Sequence, residues 1–212
     1  MIEVHVGTCD DGDEFLMHAE LAKRHSKLIT TALKGEWKEG KEGVLNLPEV
    51  SSADFQIFHD FVNTSKVHFT ISSDHEEQDW TRIAKIWLLG DFLESVSFKD
   101  AVVDAMLAAM RRTSKIPVTM YQPVFGGTAF PSSMRRLLVD IAVFSWFPDA
   151  LSNQPSDPKY VDFFKDVAVI ERQRNLNSSQ SSNAAPYDLP NVKCHYHDHG
   201  SGSPCYKTMF GK

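Results

Sequence analysis

The first residues of the chain alternate between apolar and polar side chains, as on a half-buried strand. In residues 2–6 (IEVHV) every second residue is apolar, so the apolar side chains share one side of the strand. A turn rich in Gly and Asp follows, and residues 15–17 (FLM) begin a second short strand, which predicts a hairpin. A third strand is predicted at residues 44–50 (VLNLPEV).

Helical spacing of the apolar residues begins after the hairpin. Residues 18–33 predict two short helices that meet at residues 24–26, and the Ser26 side chain can accept a hydrogen bond at the start of the second helix. The spacing S-x-x-D, at Ser51 and again at Ser97, predicts the starts of two further helices.

The rest of the chain adds helices and connections. A short β-like segment and a surface connection are expected at residues 65–70 and 114–131, and a linker rich in Ser, Asn and Gln at residues 175–193. Strands cluster early and helices accumulate later, which predicts a small α+β core rather than an alternating parallel sheet. Helices are predicted at residues 78–96, 98–112, 132–147 and 157–174.

Charge and composition restrict the function classes. The 212 residues carry a net charge of −6, which disfavours a nucleic-acid module held by a broad positive field. No apolar run approaches the roughly 20 residues of a membrane helix. The three cysteines are too few, and odd in number, for a disulfide framework. We therefore expect a protein of the cytoplasm or nucleus that is not secreted and does not bind nucleic acid or membranes.

The C-terminal tail contains the strongest candidate for chemistry. Cys194, His197, His199 and Cys205 follow the pattern C-x-x-H-x-H-x5-C, and His195 is an adjacent spare. Thiolate and imidazole are the preferred ligands of zinc, and four of them suit a tetrahedral structural site. The alternative is a His-rich tail that binds metal only incidentally, because this spacing is not one of the common zinc patterns.

Cys9 and His18 are weaker candidates for catalytic residues. Cys9 could pair with His5 or His18, but the acidic residues that follow it disfavour the reactive thiolate. His18 could be catalytic, yet no partner with recognisable spacing lies near it in sequence. We favour a structural role for His18 and Ser26: His18 ends the second strand, and Ser26 caps the second short helix.

The order of the elements, together with particular residues, resembles the BTB/POZ family. Val6 and Gly7 end the first strand as V-x-V-G, and the segment FLMHAELAKRHS carries an aromatic residue, a His, a Leu and a closing Ser. Residues 45–67 resemble the family's next strand and its helix with paired aromatic residues. The tail is similar to segments that follow the domain in many fungal proteins of this type. The residues that carry the resemblance are Val6, Gly7, Phe15, His18, Leu21, Ser26 and Phe58.

The resemblance implies both a fold and a function. The fold would be a short three-stranded sheet with a cluster of helices at residues 1–112, then a helical extension at 113–174 and a flexible tail at 175–212. The function would be protein–protein interaction without catalysis, through self-association such as a homodimer or as an adaptor for a cullin ubiquitin ligase. No cofactor is implied except zinc at the tail. The alternative is a structural zinc protein or a metalloenzyme that uses the tail.

Overall fold

The computed structural model contains eleven α-helices and one three-stranded sheet in the residues it describes, so the predicted α+β class is confirmed. Within that part of the chain, no helix combines the length and apolar character needed to cross a membrane. The structure describes residues 1–8, 12–35, 37–128, 132–154, 157–176, 184–189, 194–199 and 202–210.

The sheet contains the three strands that the sequence predicts, β1 (Ile2–Val6), β2 (Asp13–Met17) and β3 (Val44–Leu47). Their order is β2-β1-β3, with β1 antiparallel to β2 and parallel to β3. Gly7 follows β1 with a φ of 84°, a left-handed conformation that glycine adopts without the strain of a side chain. The predicted hairpin and the third strand are therefore both present.

The two short helices predicted after the hairpin are α1 (Ala19–His25) and α2 (Lys27–Ala32). Ser26 lies between them and is buried. Its Oγ accepts a hydrogen bond from the amide of Ile29 at 3.1 Å and donates one to the carbonyl of Leu93 at 2.7 Å. The predicted Ser26 cap is thus confirmed, and the same hydroxyl also bonds a segment 67 residues away along the chain.

The remaining helices mostly follow the amphipathic pattern of the sequence. A 3-10 turn at Pro158–Tyr160 leads into the tenth helix, and another is at Pro186–Asp188, within the predicted linker. The helices are α3 (Lys38–Glu42), α4 (Ser52–Thr64), α5 (Glu76–Phe92), α6 (Val96–Thr113), α7 (Tyr121–Gly127), α8 (Ser133–Ser145), α9 (Pro148–Ser152), α10 (Val161–Leu176) and α11 (Tyr206–Phe210).

Three local predictions are wrong. The β-like segment at residues 65–70 forms no strand, and instead a guanidinium nitrogen of Arg112 donates to the carbonyl of Phe69. The expected surface connection at 114–131 contains α7, because its apolar residues recur at helical spacing and are buried. The helix expected to begin after Ser97 begins one residue before it.

The chain divides into two compact units. Unit 1 comprises residues 1–68, 85–102 and 199–212, and unit 2 comprises residues 69–84 and 103–198. The domain boundaries predicted after residues 112 and 174 concern folding domains rather than contact units and stay predictions.

The core of unit 1 is an aromatic cluster formed by side chains of β2, α4 and α6. Phe58 on α4 is fully buried and contacts Phe98 edge-on, with ring centroids 5.2 Å apart. Edge-to-face contacts of this kind stabilise a core beyond the area that they bury. The side chains that build the cluster are Phe15, Phe55, Phe58, Phe61 and Phe98.

The core of unit 2 forms around α7. Tyr121 stacks on Phe163 of α10, with the centroids 4.3 Å apart and the rings nearly parallel. The buried Arg135 of α8 donates hydrogen bonds to the carbonyls of Phe125 and Thr128, at 3.0 and 2.5 Å. Because the last carbonyls of a helix lack partners within it, this arginine completes the C-terminal end of α7.

Candidate metal centre

The four tail residues that the sequence predicts as metal ligands lie together. One ligand atom from each of Cys194, His197, His199 and Cys205 lies within 4.8 Å of the others. Donor atoms around a tetrahedral zinc ion are roughly 3.3–3.8 Å apart, given its bond lengths to nitrogen and sulfur. A metal ion could therefore bind here after side-chain shifts of about 1 Å.

Local backbone structure positions two of the ligands. The amide of His197 donates to the carbonyl of Cys194 at 3.2 Å, which closes a turn and brings the first ligand near the second. The carbonyl of Cys205 accepts hydrogen bonds from the amides of Thr208 and Met209, so this cysteine directly precedes the first turn of α11. Both cysteines are present as thiols rather than as a disulfide.

One of the candidate ligands, His197, lies against a carboxylate from another element. Nε2 of His197 lies 3.2 Å from Oδ2 of Asp104 on α6. The imidazole is almost completely buried, whereas the carboxylate is partly exposed. Histidine ligands of metals usually donate the second ring N–H to a carboxylate or carbonyl, and this pair has that arrangement.

Side chains around the ligands attach the segment at residues 195–198 to α8. The hydroxyl of Tyr196 donates to Oδ2 of Asp140 at 2.7 Å. Burial raises the pKa of Asp140, and the hydrogen bond from Tyr196 partly opposes that rise. Burial and the neighbouring Asp140 together raise the pKa of Tyr196, so this tyrosine is a hydrogen-bond donor. Oδ1 of Asp198 also accepts from the amide of Ser133 at 3.4 Å.

A second group of side chains that could hold a metal ion, not predicted from the sequence, lies on the outer face of the sheet. Nε2 of His5 is 2.8 Å from Oε1 of Glu3 and 4.0 Å from Oε1 of Glu14. The sequence did contain a signal for this group, because side chains alternate along a strand and residues 3 and 5 therefore lie on the same face. Exposed acidic groups are common without a metal, so this group carries less weight than the tail.

The residues that carry the family resemblance do not form one site. Ser26 is buried at its helix junction, and Gly7 and Leu21 are half-buried. His18 lies between β2 and α1 as predicted, but its side chain is exposed and makes no cap hydrogen bond. Its carbonyl accepts from the amide of Ala22. The signature residues in the core are Val6, Phe15 and Phe58.

The hypothesis of a thiol nucleophile concerns Cys9, which lies outside the described residues. His25 is not among the residues that the sequence pattern predicts to be functional. Its side chain is buried next to Ser97, and Nδ1 of His25 lies 3.2 Å from Oγ of Ser97. The surrounding polar segment KRHSK gave no periodic signal that this particular side chain is buried.

No family model, curated protein or solved structure matches this chain.

Proposed function

We propose that this protein is a non-enzymatic protein-interaction module of the BTB/POZ type, which acts by self-association or as an adaptor for a cullin ubiquitin ligase. The observation that supports the proposal best is the order of the first elements. Two strands, two short helices joined at Ser26, the five-residue helix α3, a third strand and an aromatic-rich helix follow one another in the structure. The resemblance in sequence rests on this order without α3, which the sequence did not predict.

Exposed apolar side chains of unit 1 offer a surface for such an interaction. Leu16 on the edge strand β2 is 62% exposed, and Phe92 at the end of α5 is 51% exposed. Single exposed apolar residues are common, but partners bind by covering side chains of this kind. These two residues are therefore the positions at which an interaction is best tested.

The test is the solution mass of the full chain by light scattering, alone and mixed with the N-terminal domain of a cullin of the BTB-binding type. A dimer or a stable cullin complex is expected, and a Leu16→Glu or Phe92→Glu variant should weaken whichever contact contains that residue. Trp37→Glu changes an exposed aromatic residue elsewhere in unit 1 and is the matched control. A monomer that does not bind the cullin would contradict both modes of action.

A specific observation favours a second function, the binding of one structural zinc ion by the tail. Four clustered ligands would complete the tetrahedral coordination shell of a zinc ion. A catalytic zinc keeps one position for water or substrate, so a complete set of protein ligands favours a structural role over a metalloenzyme. The attachment of residues 195–198 to α8 also favours a built site over a tail that binds metal incidentally.

Metal content measures this second function directly. Protein purified under reducing conditions with zinc, and then freed of loose metal by gel filtration, should retain one zinc ion per chain. Cys194→Ser and Cys205→Ser should each lose it, since hydroxyl groups are poor zinc ligands. His195→Gln removes the adjacent histidine that lies outside the cluster and should retain the metal. Zinc loss in all three variants alike, or none retained by the unmodified chain, would contradict a specific site.

A further inference from the structure

We propose that Asp104 is the positioning residue of the zinc centre: it fixes the His197 ring so that Nδ1 binds the metal, and thereby couples metal binding to attachment of the C-terminal segment to α6. This inference rests on the proposed zinc site. It adds a residue that is 93 positions away from His197 and outside the Cys/His pattern.

The geometry assigns the two ring nitrogens different tasks. Nε2 of His197 lies 3.2 Å from Oδ2 of Asp104, close enough for a hydrogen bond. A neutral imidazole carries one N–H and one nitrogen lone pair. If Nε2–H donates to the carboxylate, the lone pair is on Nδ1, which leaves that nitrogen for the metal. The carboxylate thus selects both the tautomer and the ligand atom.

Charge and burial strengthen this assignment. A zinc ion draws electron density from a bound imidazole, which makes the remote N–H a stronger donor and favours a carboxylate as its partner. The His197 side chain is almost fully buried, so water competes little for this hydrogen bond. Two thiolates, from Cys194 and Cys205, would balance the charge of the zinc ion itself.

The same contact connects the metal to the surrounding fold. His197 is adjacent to Tyr196, whose hydroxyl donates to Asp140 on α8, so consecutive residues of the segment contact α6 and α8. Metal binding stabilises the conformation in which its ligands are already assembled. Zinc should therefore protect the backbone of residues 194–199 from hydrogen exchange, and it should do so less without the carboxylate.

The first measurement identifies the ligand atom in the unmodified, zinc-loaded chain. Long-range proton–nitrogen NMR of the histidine rings distinguishes a protonated ring nitrogen from a metal-bound one. We expect His197 to carry its proton on Nε2 and the metal on Nδ1. One bound zinc ion with Nε2 as the ligand would overturn this inference alone, whereas a chain that retains no zinc would overturn both the inference and the proposed site.

The second measurement uses variants of Asp104 and competition with a chromophoric zinc chelator. Asp104→Ala should weaken zinc binding about 10- to 100-fold, the usual effect of removing such a partner. Asp104→Asn retains an oxygen that can accept from Nε2–H, so it should weaken binding less. Asp162→Asn removes an equal charge from the exposed first turn of α10 and should leave the affinity unchanged.

Urea unfolding in the presence of a chelator separates the metal effect from damage to the fold. Under these metal-free conditions, the urea midpoint of Asp104→Ala should be close to that of the unmodified chain. Hydrogen exchange at residues 194–199 should then differ between the two proteins only when zinc is present. Equal zinc affinity of Asp104→Ala and the unmodified chain, within twofold, would overturn the proposal. So would an equal loss of affinity in Asp162→Asn.

Discussion

Acid should destabilise this protein through one buried histidine, His25 at the end of α1. Its side chain is 3% exposed, its Nδ1 lies 3.2 Å from the hydroxyl of Ser97, and its ring contacts Phe61 edge-on at 5.1 Å. Burial, and to a lesser extent the positive charge of Arg24, lowers the pKa of His25 from 6.5 to about 4. The folded state therefore holds this imidazole neutral across a range of pH in which the unfolded chain would protonate it.

The direction and the size of this effect of pH on stability follow from the difference between the pKa of His25 in the folded and the unfolded states. Between pH 6.5 and 4 the unfolded chain binds more protons at this position, so the free energy of unfolding falls as the pH falls. The contribution is fully present above pH 6.5 and is lost progressively as the pH approaches 4. Going from pH 7 to pH 5 should cost about 2 kcal/mol, since one pKa unit corresponds to about 1.4 kcal/mol.

Urea unfolding at the two pH values measures this loss, with a chelator present so that release of metal does not contribute. His25→Asn removes the ionisable ring, so its unfolding free energy should fall by about 2 kcal/mol less than that of the unmodified chain over the same pH interval. His18→Gln is the matched control, because it removes an exposed histidine only seven residues earlier. An equal fall in the unmodified chain and in His25→Asn would refute the assignment, whatever the size of the fall.

Two further changes test the core of unit 1 by the same urea assay. Ser26→Ala should lower the free energy of unfolding by about 2 kcal/mol, because it removes the helix cap and leaves the buried Leu93 carbonyl without this hydroxyl donor; a change below about 0.5 kcal/mol would contradict it. Phe58→Ala should cost about 3–5 kcal/mol by opening a cavity, whereas Phe147→Ala, at a position 73% exposed, should change stability by less than about 0.5 kcal/mol. Similar losses in those two variants would mean that Phe58 is not central to the core.

The sequence predicts elements well where the signal is local. The alternation in residues 2–6 and the Ser26 side chain, three residues from the amide that it caps, each depend on positions close together along the chain. The same reasoning failed at residues 65–70, because a strand exists only if a neighbouring strand pairs with it. It failed again at α7, where Pro123 and two closing glycines resemble a loop although Tyr121, Val124 and Phe125 are buried.

Side-chain environment was harder to predict than secondary structure. His18 and His25 lie in the same polar stretch, and only His18 was predicted to have a possible catalytic or architectural role. In the structure His18 is exposed, while His25 is buried against Phe61 and Ser97, residues that are 36 and 72 positions away. The environment of a single residue at a helix end depends on which distant elements pack there, and local periodicity does not contain that information.

In the tail, the spacing of the candidate ligands predicts that they meet, but it does not predict which residues surround them. The four candidate ligands span only twelve residues, so their spacing alone could predict that they meet. The carboxylates that contact His197 and the adjacent Tyr196 come from elsewhere in the chain: Asp104 on α6 and Asp140 on α8 look like ordinary solvated acids in the sequence. A structural metal site needs ligands and also surroundings that fix their orientation. Short motifs therefore locate candidate ligands, but only the folded chain identifies the carboxylates that distinguish a built site from incidental metal binding.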